Sequence, residues 1–112
     1  MAHTPQLTAA KTTDGYDFSH SFSALKPLFE EADLTVLNLE TTLAFRPLYQ
    51  GYPLFRSPAE LAHAMRDAGV DVVALANNHA LDMGASGVRS TLSALDSVGL
   101  RHLGLYPSKH DF

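Results

Sequence analysis

Val70-Asp71-Val72-Val73-Ala74-Leu75-Ala76-Asn77-Asn78-His79 is the stretch on which the fold turns. A near-continuous apolar run bounded by Gly69 in front and by three polar residues behind is the pattern of a strand covered on both faces in a parallel sheet. Just upstream the sequence spells a helix, with Ser57 as N-cap, Pro58 at the first helical position and Glu60 completing a capping box. Leu61, Met65 and Ala68 share one face of that helix, and Gly69 ends it. Downstream, Asp82 or Ser86 can cap another helix that turns Val88, Leu92, Leu95 and Val98 inward and stops at Gly99. Leu100 to Leu105 then reads as a further strand.

Moving outward, Leu34-Thr35-Val36-Leu37-Asn38-Leu39-Glu40 is a short, partly β-branched run, predicted as a buried strand that delivers Asn38 and Glu40 at its carboxyl end. Before it, Phe22, Leu25, Leu28, Phe29 and Ala32 recur at helical spacing, and Pro27 fits a helix that starts near Ser23. Residues 1 to about 21 are polar and turn-rich and read as a loop, with a turn at Thr12-Thr13-Asp14-Gly15. The resulting order of α, β, α, β, α, β predicts an α/β fold with a parallel sheet and right-handed crossovers. Such a sheet releases the loops after Leu39 and Ala76 at one edge, where α/β proteins place ligands. Glu40 and Asn78-His79 are thereby expected to face one another.

Composition narrows the function. Twelve acidic against eight basic residues give a net charge of −4, which lacks the cationic excess that nucleic acid binding draws on, so no nucleic acid partner is expected. With no cysteine there is neither a disulfide framework nor a thiolate metal site, and any metal falls to His, Asn and carboxylate groups. No apolar run is long enough for a membrane-spanning helix, and the first residues carry no signal-peptide core. A chain of 112 residues without internal linkers or repeats reads as one compact unit, one domain or less.

Glu40, Asn38, Asn78, His79 and Asp82 combine two carboxylates, an imidazole and two carboxamides, a donor set suited to divalent Mn, Zn or Fe. An imidazole beside a neutral carboxamide ligand can hydrogen-bond a phosphoryl oxygen or protonate a leaving oxygen. On spacing alone, Asn77-Asn78-His79 is more economically ordinary loop chemistry and Asp82 a helix cap; co-location at one sheet edge is what favours the chemical reading. The connection from Thr41 to Arg56 exceeds the usual ~2–6 residues of such loops. Its Arg46 and Arg56 suit an anionic substrate, while Phe45, Tyr52 and Phe55 are expected to pack down on the sheet. His3, His20, His63, His102 and His110 show no ligand pairing, and His63 falls on the polar side of its helix.

Ala32-Asp33-Leu34, Asn38-Leu39-Glu40-Thr41, Phe55-Arg56-Ser57-Pro58, Ala68-Gly69-Val70-Asp71, Ala76-Asn77-Asn78-His79-Ala80-Leu81-Asp82-Met83-Gly84 and Thr91-Leu92, in that order, closely resemble the bacterial CapA family of capsule, or poly-gamma-glutamate, synthesis proteins. That family is similar to calcineurin-type metallophosphoesterases, which carry a Gly-Asn-His-Glu motif. The resemblance implies a metallophosphatase-like layered fold in which Asn78 and Glu40 are metal ligands and His79 is the catalytic, phosphate-contacting acid. Asp82 matches an Asp of the nucleotidase branch, Asn38, Asn77 and Asp82 are expected in supporting positions around these residues, and Arg56, on the long connection, is the expected substrate-binding residue. Ala80 departs from the pattern, replacing the acidic neighbour of the histidine.

In the family a Gly-Asp pair precedes a segment like Met1-Ala2-His3-Thr4-Pro5-Gln6-Leu7, and further His motifs follow later. The resemblance therefore makes residues 1–112 a partial domain, truncated at both ends, with an incompletely coordinated metal site bordered by His3. It implies synthesis or processing of an anionic capsule polymer outside the cytoplasm, at the cell surface or membrane. The chemistry implied for the complete domain is metal-dependent phosphoester hydrolysis on an anionic polymer or phosphoester substrate. A non-catalytic, membrane-associated subunit of a polymer synthesis complex is the alternative. The chain alone is expected to be inactive and prone to self-association through a sheet edge.

Overall fold

The computed structural model describes residues 1–108, so His110 lies outside the described residues. In chain order the elements are α1 (Thr4–Ala10), α2 (Ser19–Phe22), α3 (Lys26–Glu31), β1 (Val36–Asn38), β2 (Thr42–Ala44), β3 (Arg56–Pro58), α4 (Glu60–Asp67), β4 (Val72–Ala74), α5 (Gly84–Ser97) and β5 (Arg101–Leu103). β1, β4 and β5 form a parallel sheet in that spatial order, with Leu37 opposite Val73 and Val73 opposite His102. The α/β architecture with parallel strands is as the sequence predicts, and the apolar run of Val70–Ala76 supplies the central strand.

One face of this sheet is covered. Thr35, Leu39, Val73 and Leu75, all of one parity, are buried with Leu61 and Met65 of α4 and Val88, Leu92 and Leu95 of α5. The opposite face is open, with Leu34 60% exposed, Val36 51% and, opposite Ala74, Leu103 49%. Cover on both faces and a fully buried strand at Leu34–Glu40 are therefore corrected. β1 is an edge strand with a solvent side, and an apolar run cannot by itself distinguish one covered face from two.

The segment from Thr41 to Arg56 is not featureless. β2 and β3, three residues each, pair in parallel as a second sheet with Leu43 opposite Ser57. α5 packs on β2 and completes its free edge with side chains. Thr91 Oγ1 accepts from the Leu43 N–H at 2.9 Å and donates to Gly87 O at 2.7 Å, while Ser90 Oγ donates to Leu43 O at 2.6 Å. Thr91 is buried, so its replacement by valine strands the Leu43 N–H without water. Thr91→Val is expected to lower folding stability by about 1–3 kcal/mol with an unchanged denaturant slope, read by urea unfolding. A loss within noise shows that the helix does not hold this strand edge.

Ser57 is likewise reassigned. It is not an N-cap but lies buried in β3, 2.7 Å from the Thr41 hydroxyl, and α4 begins at Glu60 with no side-chain cap. A buried hydroxyl pair satisfies both groups, which outweighs a cap that solvent could replace. Leu61, Met65 and Ala68 are buried as predicted, and Gly69, at φ 99°, adopts the left-handed conformation that ends the helix.

Two N-terminal expectations change. Residues 4–10 form α1, with Pro5 in the first turn and Leu7 and Ala10 buried, where a loop is predicted. The single helix expected from Ser23 is split into α2 and α3, with Pro27 in the first turn of α3 and Leu25 and Leu28 exposed. α5 and β5 fall where the periodicity puts them, but the cap predicted from Asp82 or Ser86 does not form. Asp82 has other partners.

Candidate functional site

Because β1 and β4 are parallel neighbours, the residues that follow them leave at one edge, and there a chain of hydrogen bonds joins the two strand ends. Glu40 Oε1 accepts from Asn38 Nδ2 at 2.8 Å. Asn38 Oδ1 accepts from Asn77 Nδ2 at 3.1 Å, and the same amide group donates to Leu39 O at 2.8 Å. Asn77 Oδ1 in turn accepts the His79 N–H at 3.0 Å. Asn38 and Asn77 thus tie the Glu40 strand end to the His79 turn.

His79 continues the chain. Its Nδ1 lies 2.8 Å from Asp82 Oδ2, and that same oxygen accepts the Phe55 N–H at 2.7 Å. An oxygen already accepting a backbone donor is a carboxylate acceptor, so the network assigns the Nδ1–H tautomer to His79. Nε2 is then the nitrogen left to other partners. Phe55 is fully buried and sets its ring edge-on to His79, with centroids 4.7 Å apart, and edge-on to His3 at 5.0 Å. The predicted cap Asp82 is instead a two-donor clasp joining the His79 turn to the start of β3.

The expected site residues are brought together unequally. Glu40, Asn38, Asn77, His79 and Asp82 form one bonded series, and His3 borders it through Phe55. Asn78 is exposed, with no side-chain hydrogen bond among the described residues. Arg56 stands apart. Its Nη1 donates to Leu48 O at 2.6 Å, and it lines a cavity that contains none of the other six residues. Nearby, Tyr49 packs edge-on against Tyr16, and burial above all raises its phenol above the ordinary range.

The expectation for the loop aromatics divides: Phe55 packs down, while Phe45 is 57% exposed and Tyr52 79%. His63 is exposed as predicted, and pairs with Asp67 across one helical turn at 3.5 Å. His102 pairs with Asp96 at 2.8 Å. Phe55 is the functional position that motif reading missed. Its signal is indirect, a large apolar residue immediately before Arg56-Ser57-Pro58, with nothing local to mark its contact with His79.

Coordination chemistry can be tested against these atoms. Glu40 Oε2 and the Asn78 carboxamide have no described partners, and both are hard oxygen donors of the kind that divalent cations take. Their donor chemistry suits a divalent ion. Among the described residues no three His, Asp or Glu groups converge on one point.

A family model described as bacterial capsule synthesis protein PGA_cap matches residues 1–111. Two proteins of Sinorhizobium fredii (strain NBRC 101917 / NGR234), named uncharacterized protein y4sH and uncharacterized protein y4uA, are each 32% identical to this chain over an alignment that covers 79% of it. The alignment covers 21% of either relative, so the chain spans about a fifth of their length.

Proposed function

This chain belongs to the bacterial capsule synthesis protein family PGA_cap, and from that premise we propose that it carries one side of a metal-assisted hydrolytic centre. The centre serves the synthesis or processing of an anionic capsule polymer, by resemblance poly-gamma-glutamate, at the cell surface. No helix among the described residues is long and apolar enough to cross a membrane.

The observation that carries the reading is the His79–Asp82 contact at 2.8 Å, braced by the Phe55 N–H. Asp82 fixes the ring through Nδ1, which leaves Nε2 to hydrogen-bond a phosphoryl oxygen or pass a proton to a leaving oxygen. Glu40 and Asn78 would hold a divalent ion of the Mn, Zn or Fe class, which supplies Lewis acidity and an activated water. Asn38 orients Glu40, and Asn77 holds the turn that presents Asn78 and His79.

Paramagnetic broadening of amide resonances by Mn2+ tests the ligand assignment. It should centre on residues 38–41 and 77–79, disappear in the Glu40→Gln/Asn78→Ala double variant, and persist in His79→Ala. Broadening scattered over the acidic surface, or untouched by the double variant, overturns it. In a family member of the relatives' full length, the change equivalent to His79→Ala should slow phosphoester turnover about 10²–10⁴-fold. Unchanged turnover would favour the non-catalytic assembly role.

A further inference from the structure

We propose that the open cavity of about 250 Å3 between the β2–β3 sheet and the first turns of α5 binds an oxyanion, a phosphate or a carboxylate, through Arg46 and Arg56. The inference goes beyond the hydrolytic reading and does not rest on it, since an anion can bind here whether or not His79 takes part in chemistry.

The charge pattern is the first ground. In a chain of net charge −4, this cavity is lined by two arginines and no carboxylate. Among the described residues neither arginine enters an ion pair; the pairs there are Lys26–Glu30 and three His–Asp contacts. Two guanidinium groups sharing one cavity repel each other until an anion joins them, and their planar forks match the oxygens of phosphate and carboxylate.

The second ground is that the donors are organised. Arg56 is half-buried at the start of β3, and its Nη1 bond to Leu48 O at 2.6 Å fixes the guanidinium while leaving its other N–H groups without described partners. Arg46 follows β2 and is exposed, so it can close over a ligand held by Arg56. On the opposite wall the Ser86 hydroxyl makes only a long 3.4 Å contact to Met83 O and is available to turn inward. The Ser90 hydroxyl is not available, being committed to Leu43 O. Gly87 lets the Met83 side chain lie against that wall, since a Cβ there would collide with it.

Size and placement complete the case. At about 250 Å3 the cavity is smaller than the roughly 300–1,000 Å3 of sites that enclose a whole small molecule, so it suits one anionic head group. Arg56 follows Phe55 and Met83 follows Asp82, so the cavity adjoins the His79 clasp along the chain without sharing a lining residue.

Amide-correlated NMR titration of the chain with sodium phosphate, and separately with sodium acetate, against chloride at matched ionic strength, tests the proposal. Saturable shifts are expected at Arg56, Ser86 and Gly87. Arg46→Gln, at an exposed position that cannot unfold the protein, should weaken binding about ten-fold, as loss of one charge-assisted contact does. Arg46→Gln/Arg56→Gln should abolish saturation, whereas His79→Ala should leave it unchanged. Tighter phosphate binding identifies a phosphoester source and tighter acetate binding a carboxylate source, and either supports the site. Shifts that fail to saturate, or that survive Arg46→Gln at full strength, overturn it.

Discussion

Replacing Asp82 with alanine is expected to cost about 3 kcal/mol of folding stability, because one buried oxygen serves two donors. Its Oδ2 accepts from Phe55 N at 2.7 Å and from His79 Nδ1 at 2.8 Å, and the side chain is only 8% exposed, so water has little room to replace it. Alanine leaves both donors unsatisfied and removes the tie between the His79 turn and β3. Asp82→Asn keeps an acceptor oxygen and should cost about half as much, since its neutral carbonyl is a weaker partner for either donor. Urea unfolding of Asp82→Ala, His79→Ala and the double variant closes a thermodynamic cycle, with an expected coupling of about 1–2 kcal/mol between the two residues. Additive losses would mean that the contact contributes nothing beyond each side chain's own packing.

The same clasp shows how far sequence carries. Asp82 sits where a helix cap belongs and is read as one, yet its partners are an imidazole three residues back and a backbone N–H 27 residues away. Only the second of these separates the two readings, and no local pattern encodes it. Val70–Ala76, and the helical faces of Leu61, Met65 and Ala68 and of Val88, Leu92 and Leu95, are legible because burial against one core imposes a period on many residues together. β2 and β3 are too short to display a period, and their strongest ties are hydroxyl contacts, Thr41 with Ser57 and Thr91 with Leu43. Polar residues committed to such contacts look like loop residues.

The site was legible in the same graded way. Parallel strands place Asn38, Glu40, Asn77 and His79 at one edge by topology alone, and this is what the sequence predicts. How they are joined depends on carboxamide orientation, which places Asn77 as a tie to Asn38 and Leu39 and leaves Asn78 facing solvent. Arg56 was expected at the same centre because it lies on the long connection. Its anchoring to Leu48 O instead sets it in the cavity with Arg46, on the far side of Phe55 along the chain.

Phe55 joins these parts, and its removal is the most damaging single change we expect. The ring is fully buried, edge-on to His79 and His3, and its backbone carries the Asp82 bond on one side and accepts from Thr42 Oγ1 at 2.7 Å on the other. Phe55→Ala should destabilise the fold by about 3–5 kcal/mol, combining lost burial with the cavity left behind. Phe55→Leu retains most of the apolar volume but not the ring edges, and should cost about 1–2 kcal/mol. Equilibrium unfolding gives both losses, and ring-proton NMR of His79 reports separately on the clasp. In Phe55→Leu the backbone bond to Asp82 persists, so the His79 ring should stay fixed in one tautomer while its resonances move through loss of the aromatic neighbour. If that ring becomes mobile although the fold survives, packing by Phe55 rather than the Asp82 carboxylate orients His79. If Phe55→Ala costs less than about 1 kcal/mol, the side chain is not the seat on which β3, the His79 turn and the N-terminal segment meet.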